Sequence, residues 1–292
     1  MYYFVYFYYF YLLYNMNIYQ PIVNRIAKQV GLFCNARDET NIKEWVAHHL
    51  LIGFDIIVIF DHKSVIPLKQ VFQKFDKRVI IINAYLPDGN IKLALMNHAT
   101  KIAKKINLDW FIYLDADEFV ILNGKLSNIK QLLNIYSQMD SIAINWLCFG
   151  SNDLINEPDG LILENYTKSS KLLDKHVKTF VRPNAVSKSV NPHHYNMIKP
   201  HKMTAIQGTI IKPPYYFNNL KLHFKYVPAY IAHYIYQSEE TYLNRKIKKI
   251  GDDGNKRTNM GKEIHKHHNE VENTQPQKYV KRIKDFLKYY EK

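Results

Sequence analysis

From Gln29 onward the chain alternates uninterrupted apolar runs with stretches of helical periodicity. QVGLFCNA, residues 29–36, predicts a strand. Residues 40–53 predict a helix: Thr40 or Asn41 caps it, Ile42, Trp45, Val46, His49 and Leu50 share one face, and Gly53 stops it. DIIVIF, residues 55–60, predicts a second, fully apolar strand that ends at Asp61. A short helix from Pro67 to Phe75 and a third strand, RVIIIN, follow. Lys92 to Ile106 then predicts a helix with Leu95, Ala99, Ile102 and Ala103 at core spacing. WFIYL, residues 110–114, and SIAINWLCFG, residues 141–150, complete the series of clear strands.

This alternation predicts an α/β fold with a mostly parallel central sheet and helices on both faces. Ligands bind such sheets at the carboxyl ends of the strands. Asp61 and the acidic residues after Leu114 both follow strand ends, so one crevice should hold them.

Beyond Gly150 the pattern weakens. VKTFVRP predicts a short strand, and Pro192 to Tyr216 reads as an irregular excursion over the site. Ser238 caps a helix with Glu239 and Glu240 in its first turn, a basic last turn and Gly251 at its end. The final helix is amphipathic, with Val280, Ile283, Phe286, Leu287 and Tyr290 on one side, and is expected to dock on the core. These features divide the chain into an aromatic extension or short anchor (1–28), a main α/β domain (29–260) and a charged tail with an amphipathic helix (261–292). In that tail, the histidines between 265 and 268 are expected to be solvated.

The stretch DWFIYLDADEFVIL carries the candidate chemistry. Asp115, Asp117 and Glu118 follow an apolar strand, and clustered carboxylates there need a cation to offset repulsion and desolvation. Residues two apart on an extended chain point the same way, so Asp115 and Asp117 offer hard oxygen ligands together. Mn²⁺ or Mg²⁺ is the expected cation.

Composition changes this picture little. The 292 residues are 47% apolar and 23% charged, ordinary for a globular chain. The net charge of +14 favours anionic partners, although the bias toward Asn, Ile, Lys and Tyr raises the lysine count without requiring a function. No nucleic-acid-binding signature is present, and no specific nucleic acid partner is expected. Cys34 and Cys148 both lie in strand-like segments, which excludes a disulfide framework. The opening MYYFVYFYYFYLLYN lacks a basic start and falls short of the ~20 apolar residues of a membrane span. It is expected to be a nonspanning extension, with association at a membrane surface left open; localisation stays open between cytoplasm and membrane surface.

Several blocks, in order, resemble glycosyltransferases of the GT-A fold, in particular the group related to glycosyltransferase family 92 and to family 2. They are CNARDETNIKEWVAHHLLIGFDIIVIFDHKS, DWFIYLDADEFV, INWLCFGSN, KTFVRP with the later His193 and His194, and AHYIYQSEETYLNRKIKKIG. Together they run from about Val30 to Gly251. The resemblance implies a hexosyltransferase that moves a sugar from a nucleotide-sugar donor, a UDP-sugar, to a hydroxyl of a glycan or related acceptor with inversion. It implies that Arg37, Glu39, Asp61 and Asp115 bind the nucleotide, and that Asp115, Asp117 and His233 hold the metal. A carboxylate base is expected after INWLCFG, where Asp153 is the choice over Glu157 and Asp159. Trp146 is either a sugar platform or a core residue.

Two rival readings compete. A haloacid dehalogenase-type phosphatase would use Asp115 as nucleophile, but three strands precede the motif and Phe119 stands where a small or hydroxyl residue belongs. A sugar- or nucleic-acid-binding protein on an inactive GT-A scaffold is opposed by the intact Asp115 and Asp117.

Overall fold

The computed structural model describes residues 26–87, 91–210, 217–218, 221–249, 251 and 254–291. The aromatic opening lies outside them. No helix among the described residues is long and apolar enough to cross a membrane.

The four predicted strands of the first half are present as β1 (Val30–Ala36), β2 (Ile56–Asp61), β3 (Val79–Asn83) and β4 (Trp110–Tyr113). All four run parallel, in the order β3-β2-β1-β4. A strand not anticipated from sequence, β5 (Glu118–Leu122), follows the acidic turn, and β6 (Ser141–Cys148) comes next. The polar region holds the two-residue β7 (Lys168–Ser169), and the predicted VKTFV segment forms β8 (Val177–Val181).

The expected irregular excursion is partly regular. β9 (Val186–Asn191) and β10 (His194–Met197) pair as a hairpin, and β11 (Met203–Ala205) adds to β6 in parallel. β12 (Ala229–His233) and β13 (Val271–Glu272) complete the set. The central sheet continues β4-β8-β6-β12-β5, with β8 antiparallel to both neighbours and β5 antiparallel to β12. β8 and β5 therefore bring their first residues, not their last, to the edge where β1, β2, β4, β6 and β12 end. This topological detail assembles the site.

Period-two alternation splits the strands between two cores, because successive side chains point to opposite faces. Leu32, Cys34, Ile57, Ile59 and Ile112 pack on one face with Trp45, Val46 and Leu50 of the Ile42–Leu51 helix. Phe33, Val58, Phe60 and Phe111 pack on the other with Leu95, Met96, Ala99 and Ala103 of the Lys92–Lys105 helix. Helices thus cover both faces, the architecture that the GT-A expectation required.

Local details depart from the sequence reading. Neither Thr40 nor Asn41 caps its helix: Asn41 occupies the cap position without a side-chain bond, and Thr40 Oγ1 lies 3.5 Å from Glu157 Oε1. Gly53 does stop it, at φ +100°, a left-handed conformation that favours glycine. The helix expected from Pro67 to Phe75 spans only Leu68–Val71. Both cysteines are buried, and no disulfide joins them.

The tail is packed against the rest of the chain. Ile283 is buried, with Phe286 and Leu287 packed on the same core. The expectation of a solvated histidine cluster is corrected: His265 Nδ1 lies 2.6 Å from the buried Ser151 Oγ, and His268 Nδ1 lies 2.7 Å from Ser170 Oγ.

Candidate functional site

The acidic cluster sits where the topology predicts, on the turn between β4 and β5. The Asp115 backbone N–H donates to Glu118 Oε2 at 2.9 Å, closing that turn, and Trp45 Nε1 donates to the Glu118 carbonyl at 2.7 Å. Asp117 and Glu118 are buried, with Glu118 wholly excluded from solvent.

The countercharge that the sequence reading assigned to a metal is supplied here by four side chains. Lys92, at the start of its helix, contacts Asp115 Oδ1. Lys178 Nζ, from the second residue of β8, lies 3.2 Å from Asp115 Oδ2 and 3.4 Å from Glu118 Oε2. Asp117 Oδ2 is met by Lys246 Nζ at 2.9 Å and by Arg245 Nη2 at 3.4 Å. Arg245 also reaches Glu39 Oε2 at 2.8 Å, so one guanidinium joins the end of β1 to the acidic turn. Arg245 and Lys246 lie on a π-helical turn, Leu243–Ile247, which continues the Ser238-capped helix. The wider i→i+5 winding of such turns recurs at functional sites.

Charge and burial compete at each carboxyl. Burial alone would raise Asp117, but Lys246, His233 and Arg245 outweigh it and hold the group below the ordinary carboxylate range. The same contest at Asp115 is won by Lys178 and Lys92, again against burial. For Glu118 burial wins and pushes the carboxyl up, so it favours the protonated form; its Oε1 finds no partner among the described residues.

His233 ends β12 and lies beside Asp117, with Nε2 3.7 Å from Asp117 Oδ1. Burial lowers its pKa to about 4, leaving a neutral imidazole with a lone pair to offer, and its Nδ1 has no hydrogen-bond partner among the described residues. A neutral imidazole facing a hard carboxylate suits a divalent metal in kind. Asp115 is instead turned toward its two lysines, and no group of three or more His, Cys, Asp or Glu side chains among the described residues stands ready to hold an ion.

The other predicted residues fall into place differently. Glu39 joins the cluster through Arg245. Arg37 follows β1 at the same edge, half-buried. Asp61 is at that edge too, but its oxygens accept from the Ser64 and Leu68 backbone N–H groups at 3.2 and 2.8 Å, a turn and helix-start clasp that explains its burial without a nucleotide. Asp153 is not brought into the cluster: it is exposed and paired with Lys168 at 2.7 Å. Trp146 is half-buried at the edge, but three imidazoles surround its ring, His233 at 4.3 Å, His176 at 5.0 Å and His193 at 5.2 Å between centroids. Of the two readings of the indole, this packing resembles a covered core residue more than an open platform.

Sequence reasoning missed Lys92, Lys178, Arg245 and Lys246. A signal existed for Lys178, since a lysine inside the apolar run VKTFV must be paired if the strand is buried. Arg245 and Lys246 read from sequence only as cations complementing a helix dipole.

The model of glycosyltransferase family 92 matches residues 31–275, most of the chain, and the protein belongs to that family. A family 92 protein of Oryza sativa subsp. japonica is 25% identical over 213 residues, covering 70% of this chain and 36% of that protein. One of Ricinus communis is 24% identical over 218 residues, covering 72% and 35%. The chain thus spans about a third of the length of these relatives. Among solved structures, TarS of S. aureus aligns with TM-score 0.37 and 13% identity over 54% of this chain and 29% of that one. The mannosyltransferase PcManGT of Pyrobaculum calidifontis, in complex with GDP-Man and Mn²⁺, aligns with TM-score 0.33 and 10% identity over 48% and 42%. Likenesses this distant carry no argument about the chemistry of this chain. Family membership sets the phosphatase reading aside.

Proposed function

We propose that this chain is a glycosyltransferase that moves a hexose from a nucleotide-sugar donor, a UDP-sugar, to a hydroxyl of a glycan or related acceptor, with inversion at the anomeric carbon. The observation that carries the proposal is the convergence of Lys92, Lys178, Arg245 and Lys246 on Asp115 and Asp117 at the carboxyl edge of the sheet. A diphosphate brought to this edge meets cations already desolvated and oriented, which stabilise charge growing on a leaving group without reorganising at the moment of reaction. Arg245, with a planar fork of donors, suits phosphate oxygens as well as it suits Glu39 and Asp117.

Asp117 and His233, joined by Asp115 once it exchanges its lysines for the ion, would hold a Mn²⁺ or Mg²⁺, which supplies Lewis-acid charge to the diphosphate when bound. Arg37 borders the same edge and adds positive charge for the nucleotide. Asp61 orders the loop from Ser64 to Leu68 beside it.

The test is release of nucleoside diphosphate from UDP-glucose, UDP-galactose and GDP-mannose, with free sugars and methyl glycosides as acceptors and Mn²⁺ present or absent. Release from a UDP-sugar above the protein-free blank is expected. No release from any donor contradicts the reading and favours a binding protein on this scaffold.

A further inference from the structure

Outside the acidic cluster, the same edge of the sheet carries a second pair of titratable groups. His176 immediately precedes β8, and Asp174 stands two residues before it. Asp174 Oδ1 accepts from the His176 backbone N–H at 2.8 Å and lies 2.5 Å from His176 Nδ1. This contact fixes the tautomer, with the proton on Nδ1 and the lone pair on Nε2.

The pair is rigidly held. Asp174 N–H donates to the Trp146 carbonyl at 2.8 Å, Trp146 N–H donates to the His176 carbonyl at 2.9 Å, and Asn145 Nδ2 donates to the Asp174 carbonyl at 2.8 Å. The ladder between β6 and β8 thus extends through the pair. A third of each side chain nevertheless remains exposed.

Two independent links tie the pair to the acidic cluster. Residues two apart on extended chain share a face, and Lys178, two residues after His176, reaches Asp115 at 3.2 Å. The His176 ring also stacks on Trp146 at 5.0 Å and 25°, and Trp146 in turn touches His233, the neighbour of Asp117. His193 lies 5.5 Å from the His176 ring between centroids, and Lys175 and Lys178 stand over Phe217 and Trp146, the two rings that pack on His176. His193 is kept neutral by burial, with Nδ1 2.9 Å from the Val177 carbonyl. The carboxylates of the cluster are set apart from an incoming acceptor: Asp115, Asp117 and Glu39 pair with cations, and Glu118 is wholly excluded from solvent.

We propose that His176 is the general base of the transfer, oriented by Asp174. This rests on the transferase reading above. The acceptor hydroxyl gives its proton to His176 Nε2 as its oxygen bonds to the anomeric carbon. The bond from that carbon to the diphosphate oxygen breaks, and its electron pair leaves with the nucleoside diphosphate. Attack from the side opposite the leaving group inverts the centre. Asp174 stabilises the imidazolium that forms, as a positioning residue.

The test compares UDP release from UDP-glucose and UDP-galactose by the full chain and its His176→Gln, His176→Ala and Asp174→Asn variants, alongside the shift in Tm produced by UDP. His176→Gln is expected to lower turnover by about 10²–10⁴-fold, the usual share of a general base, with the UDP shift retained. Added imidazole should restore part of the turnover of His176→Ala. Asp174→Asn should lower kcat and alter the acid limb of the pH profile, with KM for the donor little changed. Wild-type turnover in His176→Gln would overturn this proposal while leaving the transferase reading intact. A wild-type chain that binds no UDP and releases none would overturn both.

Discussion

Lys178 Nζ stands 3.2 Å from Asp115 Oδ2, its side chain only 1% exposed. A lysine so deeply buried survives on partners, and here both partners, Asp115 and Glu118, belong to the acidic turn. Each side makes the burial of the other tolerable.

Removing that ammonium should therefore cost more than a surface charge would. Lys178→Met is expected to destabilise the chain by about 3–5 kcal/mol, because it leaves the wholly buried Glu118 and the partly buried Asp115 with one cation fewer. Tm should fall on the order of 10 °C. Adding Asp115→Asn to Lys178→Met should recover part of the loss in a thermal melt; no recovery would show that the lysine acts through packing alone.

Arg245 joins Glu39 to Asp117, so its loss opens two contacts at once. Arg245→Ala is expected to cost about 3 kcal/mol and to weaken UDP binding at least tenfold. Arg245→Lys should fall between, since an ammonium keeps the charge without the fork. Calorimetric titration with UDP and chemical denaturation check the two effects separately.

Asp153 is the contrasting case. Its carboxylate is more than half exposed and, among the described residues, pairs with Lys168 and Asn269. Asp153→Asn should change stability by less than about 1 kcal/mol and leave nucleotide release within twofold of wild type. A hundredfold loss would return Asp153 to the role of base.

Stability should fall as pH drops from about 6.5 toward 4. Burial lowers His48, His193, His194 and His233 to about 4 and His49 further, so the unfolded chain binds protons there that the native chain refuses. Glu44, raised to about 7 by burial, and Glu118, also raised, act with the opposite sign: they bind protons in the native state above the unfolded value of 4.5 and favour folding as pH falls. His223 and His268 are lowered by burial as well, so seven histidines among the described residues oppose two glutamates and set the direction. Below about 3.8, Asp115 and Asp117 add to the loss, because their folded values are depressed. Tm measured from pH 7 to pH 4 should decline; a flat or rising profile would contradict this balance.

The strands of the first half were legible because an apolar run bounded by turn residues has one common solution, and helical periodicity between the runs supplied the parallel order. The acidic turn was legible for the same reason, as carboxylates placed where a strand ends. β5 was hidden: its four apolar residues after Glu118 resemble a continuation of β4, and its antiparallel pairing depends on β12, more than a hundred residues away. The cations of the site were hidden by the same long-range logic. Lys92 and Lys178 come together on Asp115 only because β8 runs backward between β4 and β6. Asp174 and His176 lie in a polar, turn-rich stretch with no periodicity, where only the fold shows that one orients the other.

On the proposed function, this edge of the sheet binds a nucleoside diphosphate between its acidic turn and its lysines. The most direct measurement is the shift in Tm on titrating UDP, with and without Mn²⁺, into the wild-type chain and into Asp115→Ala with Asp117→Ala. A ligand that binds only the folded state stabilises it by RT ln(1 + [L]/Kd). A UDP-dependent rise is expected, enlarged by Mn²⁺ in the wild type and lost in the double variant. No rise with UDP in either condition, or the same rise in the double variant, would contradict it.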